Sequence, residues 1–341
     1  MKRHENDIVM QDYFKEVFIK ILPTGKVGNV TSFDRIIRNI HLDPRNYYYK
    51  GSDYFLNPNE RKFIHITSFD SFLNIITTGK LRLYDLNNVD DPNEIIFPAK
   101  YCGIEKKYNY SRLKSFIHSF AFCDYENINE EIEYNMWRLY GKNGTGVGIV
   151  FNFINDCEQW LDFNLSEIFY YNKETIDNRL FDIKEAIDKH KIFANKLAIE
   201  GGVQHNQDIE LPIDLFKLLS FHKSAIYSLE KEYRLIGFNR PNWSIIANRQ
   251  FNKTITLNKQ KKLTSFIELP IANLSSKSMD SKEYPLLNIY EIILGYDFQE
   301  IDCEKIQASI EEIRVENNLV NSSYLKGPQI KMSSLKEKYF S

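Results

Sequence analysis

The stretch FIHITSFDSFLNIITTGKLRLYDLNNVDDPNE, residues 63 to 94, decides the fold. Phe63 to Ile66 is an apolar strand that ends on a His-x-Thr pair, His65 and Thr67. Phe69, Phe72, Leu73, Ile75 and Ile76 then recur at helical spacing. Gly79 can stop that helix, because glycine enters the left-handed region without a Cβ clash. Leu81 to Leu83 reads as a second short strand, and the turn from Asn87 to Glu94 carries Asp90, Asp91 and Glu94. A strand, a helix and a strand with His, Thr, Asp and Glu at their ends describe a built site in an α+β protein.

Working outward, the remaining chain supports one main domain. Residues 7 to 22 place Ile8, Tyr13, Phe14, Val17, Phe18, Ile21 and Leu22 on one helical face, which suits packing on the body or a partner or dimer helix. Residues 26 to 60 are polar and turn-rich and read as an irregular lead-in. Phe116 to Cys123 is a buried strand in which His118 reads as a hydrogen-bonded core residue. Asn129 caps a helix whose Met136, Trp137 and Tyr140 share a face and whose end is Gly141. Gly144, Gly146 and Gly148 precede a strand rather than a helix, so they form a tight turn and not a phosphate loop. Strands follow at 166–171, 233–238, 266–271 and 289–294, and helices at 173–200, 213–222 and 300–313. At the second of those strands, within SLEKEYRLIGF, Glu232 and Arg234 alternate with Tyr233 and Leu235, which predicts a half-buried strand. The partition is an N-terminal helical extension at 1–45, a main domain at 46–320 and a C-terminal tail at 321–341. The expected core is a single mixed, largely antiparallel sheet with flanking helices.

Composition narrows the classes. A net charge of −2 gives no general drive towards nucleic acid or anionic lipid. The 24 Phe and 21 Tyr favour packed layers over disorder. Cys102, Cys123, Cys157 and Cys303 lack metal-ligand spacing, so they read as reduced thiols and no metal is expected. No stretch approaches the roughly 18 apolar residues of a membrane span, and the first residues do not read as a secretory signal. The expectation is a cytoplasmic protein without a membrane partner, whose N-terminal helix is the candidate contact for a homo-oligomer or another partner.

Five blocks resemble one bacterial family, domain of unknown function 2971. They are His65 to Gly79, the turn Asp90 to Glu94, Met136 to Gly141 with Gly146 and Gly148, Leu229 to Arg234, and Ile292 to Gly295. Asp90 stands where the family usually has Asn. The match spans roughly residues 46 to 320 and implies no activity.

A second resemblance bears on chemistry. HIT…FLNIITTGKL and Glu230-x-Glu232 are similar to the His-x-Thr strand end and paired glutamates of ADP-ribosyltransferase toxins. That resemblance implies an ADP-ribosyltransferase-like fold and NAD as substrate, consumed by an ADP-ribosyltransferase or NAD glycohydrolase in toxin or anti-phage biology. Glu232 would stabilise the oxocarbenium-like transition state. Glu230, on the same face of an extended chain, would orient or deprotonate the acceptor, a macromolecule or water. His65 and Thr67 would bind ribose or the nicotinamide amide, Tyr140 or Trp137 would stack on a ring, and Arg234 or Arg138 would pair with the pyrophosphate. Two other classes compete. One is a metal-dependent nuclease built on Asp90, Asp91, Glu94 and a later glutamate, which lacks a recognisable lysine beside the acids on a strand. The other is a non-catalytic module that senses a nucleotide. The NAD reading requires His65, Thr67 and Glu232 to line one cavity.

Overall fold

The computed structural model describes residues 16–24, 27–33, 36–42, 45–89, 91, 93–104, 110–172, 174, 176–200, 214–239, 252–258, 261–275, 283–319 and 326–340. Strands β1 (Val27–Phe33) and β2 (Ile36–Leu42) pair antiparallel as a separate hairpin. The polar lead-in therefore holds regular structure that its turn-rich composition concealed. The opening motif folds as read, with strand β3 (Phe63–Thr67), helix α1 (Phe69–Thr78) and strand β4 (Lys80–Asp85). Ser68 caps α1 by accepting from the Ser71 amide at 3.3 Å, and Gly79 ends it at φ 60°.

Helices α2 (Ile96–Tyr101) and α3 (Tyr110–Lys114) lead to β5 (Ile117–Asp124). Helix α4 (Glu130–Leu139) starts at Asn129, whose side chain accepts from the Ile132 amide at 2.8 Å. Next come β6 (Val147–Phe153), β7 (Phe163–Glu167) and β8 (Phe169–Tyr171). The single strand expected at 166–171 is thus two, broken at Ile168. Helices α5 (Asn178–Glu200) and α6 (Asp214–Leu219) precede β9 (His222–Ser224) and β10 (Glu232–Phe238). Strands β11 (Thr254–Leu257), β12 (Leu263–Pro270) and β13 (Leu287–Leu294), helix α7 (Glu300–Glu316) and strand β14 (Gln329–Met332) complete the order. The expected tail therefore contributes a strand, because β14 pairs in parallel with the apolar β13.

The main sheet is mixed and largely antiparallel, in the order β11-β12-β4-β5-β3-β6-β13-β14, with β10 on β5 and β7 on β10. This is the expected α+β architecture. Phe72 and Ile76 of α1 pack with Phe63, Leu81, Leu83 and Phe122, while Met136 and Trp137 of α4 pack with Ile64, Ile66 and Cys123 on the other face. Near the N-terminus, Val17, Phe18, Ile21 and Leu22 are buried in a third apolar cluster, with Leu180, Ile183 and Ile187 of α5. Ile8, Tyr13 and Phe14 lie outside the described residues. No helix among the described residues is long and apolar enough to cross a membrane.

One pairing detail makes room for a site. β10 covers one edge of β5 from Ile117 to Cys123. The other edge is shared: β3 pairs only at Asp124 and Cys123, and β4 only at Ser119 and His118. The three residues between, Phe120, Ala121 and Phe122, pair with neither strand on that edge. β3 and β4 run in the same direction and splay apart there, leaving a cleft.

The glycine-rich turn closes the neighbouring corner. Gly295 donates to the Gly146 carbonyl at 3.1 Å and Asp297 to the Gly144 carbonyl at 3.2 Å. A Cβ at Gly295 would overlap the Gly144 backbone. The tight-turn reading is the one the structure has, and two sequence blocks far apart are locked through it. Gly295→Ala should cost about 1–3 kcal/mol of stability in urea unfolding, as overpacking does; a loss below about 0.5 kcal/mol would contradict the lock.

Candidate functional site

The cleft beside β5 opens into a cavity of about 770 Å³. Its wall includes His65 and Thr67 of β3, Tyr140 after α4, Glu230 before β10, and Glu232 and Arg234 of β10. Cross-strand register alone would separate them. Ile64 and Glu232 both lie opposite Cys123, so Glu232 shares the face of Ile64, and His65 points to the other. The opening at Phe120 to Phe122 joins the two faces, and the Cα atoms of His65 and Glu232 are about two strand spacings apart, some 10 Å.

Glu232 and Arg234 are buried, at 4% and 2% exposure, so β10 is covered on both faces and is not the half-buried strand its alternation predicted. Lys223 of β9, the Ser220 carbonyl just before it and Glu94 lie against them. A charge this deep in protein persists only when paired. Here the pairing forms a chain. Arg234 Nε donates to Glu232 Oε1 at 2.7 Å, and its NH1 donates to Glu94 and to the Ser220 carbonyl. Lys223 Nζ donates to Glu232 Oε2 at 3.0 Å and to Glu230 Oε2 at 2.6 Å. Tyr140 Oη donates to Glu230 Oε1 at 2.7 Å.

Glu230 does not sit in extended chain as expected. It ends a 3-10 turn, Ala225–Glu230, and Lys231 at φ 45° swings the chain into β10. The two carboxylates still converge, because both meet Lys223. Sequence reading missed Lys223, placing it just past a helix; it lies on β9, beside the acids. A lysine close before an acid pair was the available signal.

The electrostatics follow from burial set against pairing. Burial disfavours ionised Glu232, but Arg234 and Lys223 outweigh it and hold the carboxyl below its usual range. For Glu94 burial prevails over Arg234 and pushes the carboxyl up. Burial acts against the Lys223 ammonium, yet Glu232 and Glu230 hold its pKa above the ordinary lysine value. Burial lowers the His65 ring to about 4, so the ring is neutral near pH 7. His65 Nδ1 lies 3.0 Å from the Ala121 carbonyl, which only accepts, so Nδ1 carries the proton and Nε2 is left as an acceptor. The ring also lies 4.3 Å from that of Phe120.

The other expected site residues fall elsewhere. Trp137 is fully buried and its indole N–H donates to Glu133 at 3.1 Å, so it is a core residue and not a stacking platform. Arg138 is outside the cavity wall, with its guanidinium 5.9 Å from the Tyr134 ring. Asp90 lies outside the described residues. Asp91 accepts from the Asn93 amide at 2.8 Å as a turn former and is not in the cavity wall. Of the described acidic residues of that turn, only Glu94 lines the cavity, where it pairs with Arg234; Asn88 and Val89 of the same turn line it too.

Comparison with known proteins bears on one stretch. Residues 136–235 match the family described as protein of unknown function, DUF2971. The matched residues hold two of the five blocks, Met136 to Gly148 and Leu229 to Arg234, and so include Tyr140, Lys223, Glu230, Glu232 and Arg234. The blocks at His65, Asp90 and Ile292 lie beyond them. No curated protein and no solved structure matches the chain. The resemblance to ADP-ribosyltransferases thus gains no support from these comparisons.

Arg234→Met would leave Glu232 and Glu94 buried without their shared cation. We expect a loss of about 3–5 kcal/mol in equilibrium unfolding, as for a broken buried ion pair. A loss under about 1 kcal/mol would mean that the chain of charges does not hold this part of the fold.

Proposed function

We propose that the cavity is the active site of an NAD-consuming enzyme, an NAD glycohydrolase or ADP-ribosyltransferase. The observation that carries this is the meeting of Glu230 and Glu232 on Lys223, in the wall of the cavity that also contains His65 and Thr67. The volume suits a ligand with several rings.

The reaction breaks the bond between the nicotinamide nitrogen and ribose C1′. The electron pair leaves with nicotinamide, whose ring loses its positive charge, and positive charge develops on the sugar. Water, or a hydroxyl or amine of an acceptor, adds to C1′ and releases a proton. Carboxylates suit both demands, stabilising the cationic sugar and accepting the proton. The side chain of Glu230 is 13% exposed against 5% for Glu232, so we assign the group facing C1′ to Glu230. Glu232, clamped by Lys223 and Arg234, becomes the positioning residue that fixes Lys223 and through it Glu230. This reverses the order of roles read from sequence. His65 Nε2 accepts from a ribose hydroxyl, and Tyr140 holds the second oxygen of Glu230.

A second reading draws on Lys223. A lysine beside acids on a strand is the nuclease feature not recognisable in the sequence. Against it, Arg234 engages both Glu94 and Glu232, Lys223 engages Glu232 as well, and no group of three possible metal-binding side chains forms among the described residues.

Purified protein incubated with NAD should release nicotinamide, and Glu230→Gln should lower kcat about 100-fold or more. Release by both proteins at equal rates would remove Glu230 from the chemistry. NAD bound without turnover would make the cavity a sensor. Plasmid cleavage abolished by EDTA, with no NAD binding, would favour the nuclease.

A further inference from the structure

The expected partners of a diphosphate, Arg234 and Arg138, are both unsuited to it. Arg234 is enclosed by Glu232, Glu94 and the Ser220 carbonyl, and Arg138 is outside the wall. Lys223 is held by Glu230 and Glu232. Two other cations line the cavity, Lys80 and Arg82, on the strand that forms the far side of the cleft.

We propose that Lys80 and Arg82 form a phosphoryl-binding subsite, taking the diphosphate of a nucleotide or a free phosphate group. The two alternate on β4 with Leu81 and Leu83, which are fully buried, so both cations stand on the face opposite to the core. Glu268 of β12, paired with Arg82 in register, holds both: Lys80 Nζ at 2.6 Å and Arg82 Nε at 3.2 Å. One carboxylate bonded to two cations leaves a local surplus of positive charge; Asp85, also in the cavity wall, is turned to the Asn87 amide and to Ser265 instead. Arg82 also bonds Glu268 through Nε alone. Its two terminal nitrogens have no hydrogen-bond partner among the described residues, and its guanidinium carbon lies 4.7 Å from the Phe266 ring centre. A guanidinium braced along one edge and laid on an aromatic face offers its other edge as a fork, the geometry that matches two phosphate oxygens.

The α1 wall carries three uncharged polar side chains together with the apolar Ile75. Ser71, Asn74 and Thr78 recur along the face of α1 that lines the cavity, and they suit the remaining oxygens of a phosphate. The cavity is therefore two-ended. Glu94, Glu230 and Glu232 face Lys223 and Arg234 at one end, and Lys80 and Arg82 face Glu268 at the other. A ligand with a cationic ring and an anionic diphosphate fits such a cavity in one orientation. As a diphosphate site for NAD, the subsite rests on the reading above; as a phosphoryl site it rests on its own geometry.

The plain alternative is a partly exposed ion triple with no ligand, since pairs of this kind contribute little to stability. Calorimetry with inorganic pyrophosphate, ADP and inorganic phosphate separates the two. The wild type should bind pyrophosphate and ADP, and Arg82→Met should weaken both about tenfold or more, with Arg82→Lys restoring part of the loss. Tighter binding of ADP than of pyrophosphate would assign the site to a nucleotide, and equal binding of pyrophosphate and phosphate to free phosphate groups. Both outcomes support the subsite. Failure of the wild type to bind any of them, or equal affinity in Arg82→Met with an unchanged melting temperature, overturns it. NAD turnover gives the separate readout. Cleavage with an unchanged KM in Arg82→Met rejects the subsite and leaves the enzyme reading standing. Pyrophosphate binding that depends on Arg82, in a protein inert towards NAD, does the reverse.

Discussion

Arg234 sits at 2% exposure between two glutamates, and much of the site depends on that guanidinium. An unpaired charge at this depth would be costly, so Glu232 and Glu94 must be in place whenever the fold is formed. Glu232 then fixes Lys223, Lys223 fixes Glu230, and Tyr140 takes the last oxygen. The chain of charges crosses from the acidic turn through β10 and β9 to the end of α4. Residues distant in sequence are tied together by one requirement, that no buried charge stands alone.

The cavity has an equally simple origin. Two strands share one edge of β5 and cannot both follow it, so β3 and β4 splay where Phe120 to Phe122 pair with neither. His65 crosses that opening to donate to the Ala121 carbonyl, which satisfies backbone left open by the ladder and fixes the ring's tautomer. Structure and site are here the same feature: the break in pairing creates the space, and the side chain that repairs it presents an acceptor to whatever enters.

The local elements were legible because local chemistry specifies them. Gly79 and Asn129 mark helix ends by left-handed backbone and by capping, and each does so in the structure. The acids Glu230 and Glu232 were legible as a pair, but their depth was not, because alternation along one strand cannot say what covers its second face. Trp137 was offered as a stacking residue because its helical face was legible but not what packs against that face. Lys223, Lys80 and Arg82 were passed over because each looks like an ordinary surface cation until its cross-strand partner is known. Lys80 and Arg82 meet Glu268 nearly 190 residues away along the chain, at separations of 188 and 186. The hairpin at 27–42 and the strand at 329–332 were hidden by polar composition, since pairing rather than hydrophobic pattern defines them.

A crystal structure of the Glu230→Gln protein with NAD tests the central claim most directly. The account predicts the nicotinamide ribose beside residue 230, with the His65 Nε2 atom accepting from a ribose hydroxyl and the salt bridges from Lys223 to Glu232 and from Arg234 to Glu232 intact. NAD bound outside the cleft between β3 and β4, or a cavity that stays empty of NAD at saturating concentration, would contradict it.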